Sequence, residues 1–226
     1  MKLIRLGLCA VLIAAAPTAS RAATIVVSTG AVADADGVAT SALPGVMVVD
    51  FNAVDLGALP TVAGLYSYTG DGRVVVGDVV GQYAAPPRVV NPGDDPTRYL
   101  SVPINTTAPN TMTVQLYRPH DYFGLLWGST DSYNRLSFYA GNTLLASFVP
   151  GSTLPAAANG DQVSPNNNQY FNFLFTAGWY DRIVFESSNF AFESDNHAFR
   201  AVPEPATMAL LGAGLLGLAG SLRRRQ

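Results

Sequence analysis

The sequence is poor in cysteine, lysine and histidine, and each shortage removes a class of chemistry. Cys9 is the single cysteine and Lys2 the single lysine. Apart from Cys9 and Lys2, the chain offers no thiol for a disulfide, a metal site or nucleophilic attack, and no lysine for a Schiff base. The two histidines are His120 and His197. A Ser-His-Asp triad can be drawn through either one, but no nucleophile elbow accompanies them and nothing near them has the spacing of a zinc site.

Basic residues are also scarce between positions 23 and 202. Seven arginines stand there against fifteen carboxylates, which gives a net charge of −8. The value for the whole chain is only −3, because basic residues are concentrated near its two ends. An acidic exterior argues against binding to nucleic acid or anionic lipid, since both require basic patches. By length, residues 23–202 predict one domain with a sizeable core.

Residues 1–22 have the three-part layout of a secretory signal peptide. Lys2 and Arg5 provide a positive start, an apolar run covers residues 6–16, and small side chains follow at Ser20 and Ala22. We expect signal peptidase to cleave before Ala23. The alternative is a retained membrane anchor, but an apolar run of about a dozen residues is too short to cross ~30 Å of hydrocarbon.

A second apolar segment, residues 206–222, contains no charge and is followed directly by Arg223, Arg224 and Arg225. As a helix rising ~1.5 Å per residue it would span roughly 26 Å, enough for a thin bilayer. Arginines that flank a short membrane helix stay on the cytoplasmic side. The pattern predicts a transmembrane helix that anchors a precursor in the inner membrane, with the preceding chain outside.

The segment before this helix is Pro203-Glu204-Pro205. Its prolines favour extended backbone, which suits binding by a protease. Together with the apolar helix and the arginines, it resembles a PEP-CTERM sorting signal, and residues 203–226 would form that tail. The resemblance implies processing by exosortase, a membrane cysteine protease, and delivery to the cell surface or the extracellular polymeric matrix. The catalytic residues of that step would belong to exosortase.

Between residues 23 and 202 the apolar residues alternate with polar ones, and no amphipathic helix is evident. Turn signals separate the alternating runs, and Tyr139 to Thr143 is the best hairpin turn. The pattern predicts an all-β fold, an antiparallel β-sandwich of jelly-roll type. Strands are expected at residues 46–51, 73–80, 111–116, 122–127, 135–138, 144–148, 171–175 and 182–186.

A further resemblance lies within this domain. The run from Tyr122 to Tyr139 and the run from Ala191 to His197 are similar to a group of exosortase-dependent surface proteins. These proteins pair a "WGS-D-YN-L-FY" segment with a terminal "AFE-DN" segment. The resemblance implies sorting but carries no activity.

Two groups of residues are candidate binding sites. Asp131 and Asn134 in one loop and Glu193, Asp195 and Asn196 in another offer the oxygen ligands that calcium prefers. No spacing among them matches a defined calcium loop, and Asp and Asn also fix loops through side-chain turns without an ion. Calcium is therefore the one cofactor that the sequence suggests. The Asp-x-Asp-Gly run at residues 34–37 lacks the later ligands of an EF-hand, and we interpret it as a tight turn.

Aromatic residues offer the second candidate site, because flat rings stack on sugar faces. Tyr133, Trp179 and Tyr180 are the candidates if they lie exposed in loops, whereas Trp127 sits in an apolar run typical of a core. The first functional hypothesis is a non-enzymatic surface or matrix protein, and the alternative is a carbohydrate-binding module for extracellular polysaccharide. A hydrolase using paired carboxylates such as Glu186 and Glu193 is a third hypothesis.

Overall fold

The computed structural model describes residues 23–91, 93–106 and 110–203. The predicted signal peptide and the predicted transmembrane helix lie outside these residues. No helix in the described part of the chain is long and apolar enough to cross a membrane.

Fourteen strands make up the regular structure of the described residues. They are β1 (Thr24–Thr29), β2 (Val32–Ala33), β3 (Ala39–Thr40), β4 (Met47–Val49), β5 (Thr61–Val62), β6 (Tyr66–Gly70), β7 (Arg73–Val76), β8 (Arg98–Val102), β9 (Thr111–Gly128), β10 (Asn134–Ala140), β11 (Thr143–Phe148), β12 (Gln169–Ala177), β13 (Tyr180–Ser187) and β14 (Phe192–Ala201). The prediction of an all-β fold is confirmed. Each predicted strand has a counterpart, and the hairpin is present, with Ala140 paired to Thr143.

The long strand β9 organises the antiparallel sheet. Its first half, from Thr111, pairs with β6 and β13. Its second half, to Gly128, pairs with β12 and β14. Strands β10 and β11 extend the sheet beyond β13, β1 lies outside β12, and β8 and β4 pair with β14. The strands predicted at 111–116 and 122–127 are therefore one continuous strand that belongs to two regions of the sheet.

Aromatic rings from the two regions pack against one another. Phe123 of β9 lies 5.9 Å from Phe138 of β10 and 6.3 Å from Phe185 of β13, measured between ring centroids. Phe173 of β12 lies 5.2 Å from Phe138. This face-to-face contact agrees with a sandwich, and it removes large apolar surfaces from water, worth ~25 cal/mol per Å² buried. The jelly-roll strand order stays a prediction.

Strand β14 differs most from expectation, because residues 193–196 were expected in a loop. In the structure they are in strand, with Glu193 paired to Ser101 of β8 and to Gly128 of β9. Both faces of this strand are covered. Phe192 packs into the core on one face, while on the other Glu193 accepts a hydrogen bond from the Ala84 amide in the connection between β7 and β8. Because the connection between β7 and β8 covers this second face, polar side chains such as Glu193 are buried there. The sequence of β14 therefore lacks the apolar–polar alternation of a half-exposed strand.

Candidate functional site

An open cleft of about 530 Å³ lies where four chain segments meet. They are the connection between β7 and β8, the turn between β9 and β10, the loop between β11 and β12, and the start of β14. Its polar lining includes Asp78, Gln82, Ser129, Asp131, Asn159 and Glu193. Three aromatic residues, Tyr83, Tyr133 and Phe190, also line it. Concave sites of this size that combine rings with a few polar groups are typical of small-ligand binding.

Glu193 lies at the base of this cleft and is 3% exposed. One carboxylate oxygen, Oε2, accepts a hydrogen bond of 2.7 Å from the Ser129 hydroxyl. The other, Oε1, accepts one of 3.1 Å from the Ala84 amide. Burial raises the pKa of Glu193 to about 7, although both hydrogen bonds favour the ionised carboxylate. The charge of the cleft therefore changes near neutral pH.

Asp131 and Tyr133 form a second polar group in the cleft. The Tyr133 hydroxyl lies 2.6 Å from Asp131 Oδ2 and 2.6 Å from the carbonyl oxygen of Phe190, so it can donate to one of them at a time. Burial raises the pKa of the Asp131 carboxyl, and the charge of Asp131 in turn raises that of Glu193. These two carboxylates are the members of the predicted calcium cluster that line the cleft.

Asn134 has a structural role close by. It is fully buried, and its amide nitrogen donates to the Ser187 hydroxyl at 2.8 Å and to the carbonyl oxygen of Ala191 at 3.2 Å. Its amide oxygen accepts a hydrogen bond from the backbone of Asp131. Asn134 is not among the residues that line the cleft. Its side chain holds the loop through these hydrogen bonds.

Asp195 and Asn196 belong to a different cluster. The Asn196 side chain donates to Asp34 Oδ2 at 2.7 Å and to the carbonyl oxygen of Ala39 at 3.1 Å. Asn196 has a φ of 48°, at an irregularity in the pairing of β14 with β9. The expectation that the five predicted ligands converge is therefore wrong, because β14 places Glu193 in the cleft and Asn196 beneath the turn at Asp34.

Asp195 faces Asp95, which comes from the connection between β7 and β8. Both residues are at most 2% exposed. Asp95 Oδ1 accepts hydrogen bonds from the Thr97 amide and hydroxyl. Its buried Oδ2 can accept one from the carboxyl group of a protonated Asp195. Burial, followed by the charge of Asp95 and a hydrogen bond to it, raises the pKa of Asp195 well above its usual range. Next to Asp95, Asp195 is therefore favoured in its protonated form.

No group of three or more His, Cys, Asp or Glu side chains within the described ranges is arranged to hold a metal ion. Calcium binding stays a prediction, and its best remaining oxygen ligands are Asp131 and Glu193 in the cleft.

The three predicted sugar-stacking residues have different surroundings. Tyr133 is half-buried and lines the cleft, while Trp179 is 42% exposed but lies outside it. Tyr180 is fully buried, and its hydroxyl donates to the carbonyl oxygen of Tyr122 at 2.6 Å. Its proposed stacking is therefore wrong, since no sugar can reach a ring in the core. Tyr83 and Phe190, which the sequence did not single out, are the other aromatic residues that line the cleft.

Both histidines are buried. His197 lies in the core, with Nδ1 3.0 Å from the Tyr68 hydroxyl and Nε2 3.0 Å from the Ser194 hydroxyl. His120 Nδ1 is 2.8 Å from the carbonyl oxygen of Arg118. Burial lowers the pKa of each, that of His197 to about 3. A Ser-His pair sealed in the core at Ser194 and His197 has no access for a substrate.

The last strand ends at Ala201, after which the Val202 amide bonds to the carbonyl oxygen of Pro119 and Pro203 is exposed. The family model of the PEP-CTERM protein-sorting motif matches residues 201–225. This segment is a PEP-CTERM sorting motif. A PEP-CTERM motif marks an exported protein whose membrane-anchored precursor is processed by exosortase. No curated protein and no solved structure matches the chain.

Proposed function

We propose that the exported domain acts without catalysing a reaction, as a component of the cell surface or extracellular matrix that exosortase delivers. The observation that carries this proposal is the PEP-CTERM motif at residues 201–225, directly after the final strand. Pro203 is exposed where the chain leaves the sheet. A protease can therefore approach the chain at Pro203 without unfolding the domain, which would be released as an intact folded unit.

The distribution of reactive groups supports a non-catalytic role. The domain has no cysteine or lysine, and His197 is neutral and sealed in the core. Glu186 lies on β13 and does not line the cleft that contains Glu193, so the pair considered for hydrolysis is not assembled there. General acid–base catalysis requires such groups to reach one substrate together.

The sorting step is tested by replacing Pro203, Glu204 and Pro205 with alanine and fractionating the cells. We expect the uncleaved precursor to accumulate in the inner membrane, because the extended peptide that exosortase binds would be lost. Cells without exosortase provide the control and should accumulate the same precursor. Normal processing and surface delivery of the alanine variant would contradict the proposal.

A carbohydrate-binding role is the second candidate, and the cleft favours it. Tyr133 and Tyr83 offer rings for stacking, while Gln82 and Asn159 offer amides for sugar hydroxyls. Extracellular polysaccharide is the ligand that a matrix protein would meet. A glycan array probed with the exported protein, with and without calcium, tests this role. An absence of binding under both conditions would exclude it.

A further inference from the structure

The lining of the cleft carries negative charge that no cation balances. Asp78, Asp131 and Glu193 all face it, and no Arg, Lys or His does among the residues that the structure describes. The hydrogen bonds that these carboxylates accept come from neutral groups. Asp78 Oδ1 accepts one of 2.7 Å from the Ala85 amide. Asp131 accepts one from the Tyr133 hydroxyl. Glu193 accepts one from the Ser129 hydroxyl and one from the Ala84 amide.

The basic side chain that contacts the wall of the cleft is already engaged. Arg73 donates to the Gln82 side chain at 2.9 Å, and its guanidinium carbon lies 5.2 Å from the centre of the Tyr83 ring. It therefore braces Tyr83 and Gln82 as a cation–π partner and is not itself a lining residue. An anionic ligand would find no positive group in the lining.

We infer that the cleft binds a carbohydrate with free amino groups, such as a deacetylated hexosamine unit of an extracellular polysaccharide. This inference rests on the carbohydrate-binding role proposed above and names its ligand class. The ammonium group would form charge-assisted hydrogen bonds with Asp131 and with the ionised form of Glu193, about twice as strong as neutral ones. Tyr133 would contact the sugar face, and Gln82 and Asn159 would bind its hydroxyls. Uronic acids and sulfated sugars are disfavoured, because their charge has the sign of the lining.

The test measures binding of the exported protein at pH 7 to three soluble oligosaccharides of equal length by titration calorimetry. The probes are a glucosamine oligomer, its N-acetylated counterpart and an oligouronate. We expect the glucosamine oligomer to bind at least about tenfold more tightly than the N-acetylated one, and the oligouronate to show no binding. Asp131→Asn should weaken binding of the glucosamine oligomer about tenfold, because it removes the charge while preserving the shape.

Non-specific attraction between a polycation and an acidic domain is controlled by Asp55→Asn. Asp55 is exposed and lies outside the cleft, so this variant loses the same charge. Its affinity should stay within about twofold of the parent protein.

Equal or tighter binding of the N-acetylated oligomer would overturn the amino-sugar inference but leave the carbohydrate-binding role intact. Failure of all three oligosaccharides to bind would overturn both. Oligolysine is the fourth probe in the same titration. If it alone binds, and binds more weakly to Asp131→Asn, the cleft is a site for basic peptides and the inference is overturned. Equal weakening by Asp131→Asn and Asp55→Asn would show that the attraction is not located in the cleft.

Discussion

His197 Nδ1 lies 3.0 Å from the hydroxyl of Tyr68, within a shell of aromatic rings. The Phe185 ring stacks on the imidazole with 5.2 Å between centroids, and the Phe51 ring meets it edge-on at 5.0 Å. The second ring nitrogen is satisfied by Ser194. A neutral imidazole thus meets its hydrogen-bonding needs inside an apolar core, whereas a protonated one would be a buried cation without a counter-charge.

This arrangement predicts a loss of stability in acid. Burial lowers the pKa of His197 from 6.5 to about 3, so between these values the unfolded chain takes up a proton that the folded chain does not. Stability from this group is complete above pH 6.5 and falls as the pH decreases, by up to ~1.4 kcal/mol per pH unit. In denaturant unfolding between pH 3.5 and 6, His197→Gln should remove this part of the slope. Tyr68→Phe keeps the buried imidazole and should therefore retain the pH dependence. Equal slopes for His197→Gln and the parent protein would contradict a buried, neutral His197.

The acid pair of Asp95 and Asp195 predicts the opposite dependence. Because the pKa of Asp195 is raised on folding, the stability from this group is complete below its unfolded pKa of 3.8 and is lost as the pH rises. Glu193 adds a loss of the same sign between pH 4.5 and about 7. Asp195→Asn should reduce the difference in unfolding free energy between pH 5 and pH 8, since its amide donates to Asp95 at both values. The exposed Asp36→Asn should behave as the parent, and an undiminished pH difference in Asp195→Asn would argue against a raised pKa at Asp195.

The two tryptophans predict very different costs of truncation. Trp127 is fully buried and stacks on Phe192 with 4.0 Å between ring centroids and an interplanar angle of 11°. Trp127→Ala should lower the free energy of unfolding by about 3–5 kcal/mol, because it loses burial and leaves a cavity. Trp179→Ala, at a position 42% exposed, should cost less than about 1 kcal/mol. Similar unfolding midpoints for the two variants would contradict this packing.

Substituting two glycines by alanine compares the cost of backbone strain alone with the cost of backbone strain plus a steric clash. Gly64 has a φ of +74° and nothing within 4 Å of an added Cβ, whereas Gly70 has a φ of +111° and an added Cβ would lie 2.5 Å from the carbonyl oxygen of Thr111. Gly64→Ala should cost about 1 kcal/mol for the left-handed backbone alone. Gly70→Ala should cost clearly more, since β6 must move away from β9. Chemical denaturation of both variants measures the difference, and equal costs would show that the close approach is absent.

Strand positions could be predicted where one face is apolar and the other polar. In β9 the run from Thr111 to Leu116 alternates because Met112 and Val114 enter the core while Thr113 does not. The same reasoning failed for β14, where Glu193, Asp195 and His197 are all buried. Their partners lie on segments far away in the chain, at Ala84, Asp95 and Tyr68. Period-two alternation cannot reveal a strand that is covered on both faces.

The candidate site was likewise predictable only in part. Asp131, Tyr133 and Glu193 were recognised as polar or aromatic residues in turn-rich segments, and they meet in the cleft. Tyr83 and Asp78 were not recognised, because the connection between β7 and β8 bears no motif. The prediction that Tyr180 is exposed was wrong. Its neighbour Trp179 is exposed, but Tyr180 itself is buried by core residues that lie far away in the sequence.

The sequence by itself determined that this protein carries a sorting motif, and it determined the class of its fold. A sorting motif is a linear peptide read by another protein, so the order Pro203, Glu204, Pro205 carries its meaning without tertiary structure. Alternation likewise determines β structure, because side chains of a strand point to opposite faces. Only the tertiary structure decided which acids meet. It split one predicted cluster into a cleft around Glu193 and a buried acid pair of Asp95 and Asp195, because the pairing of β14 with its neighbours and the covering loop sets where each carboxylate lies.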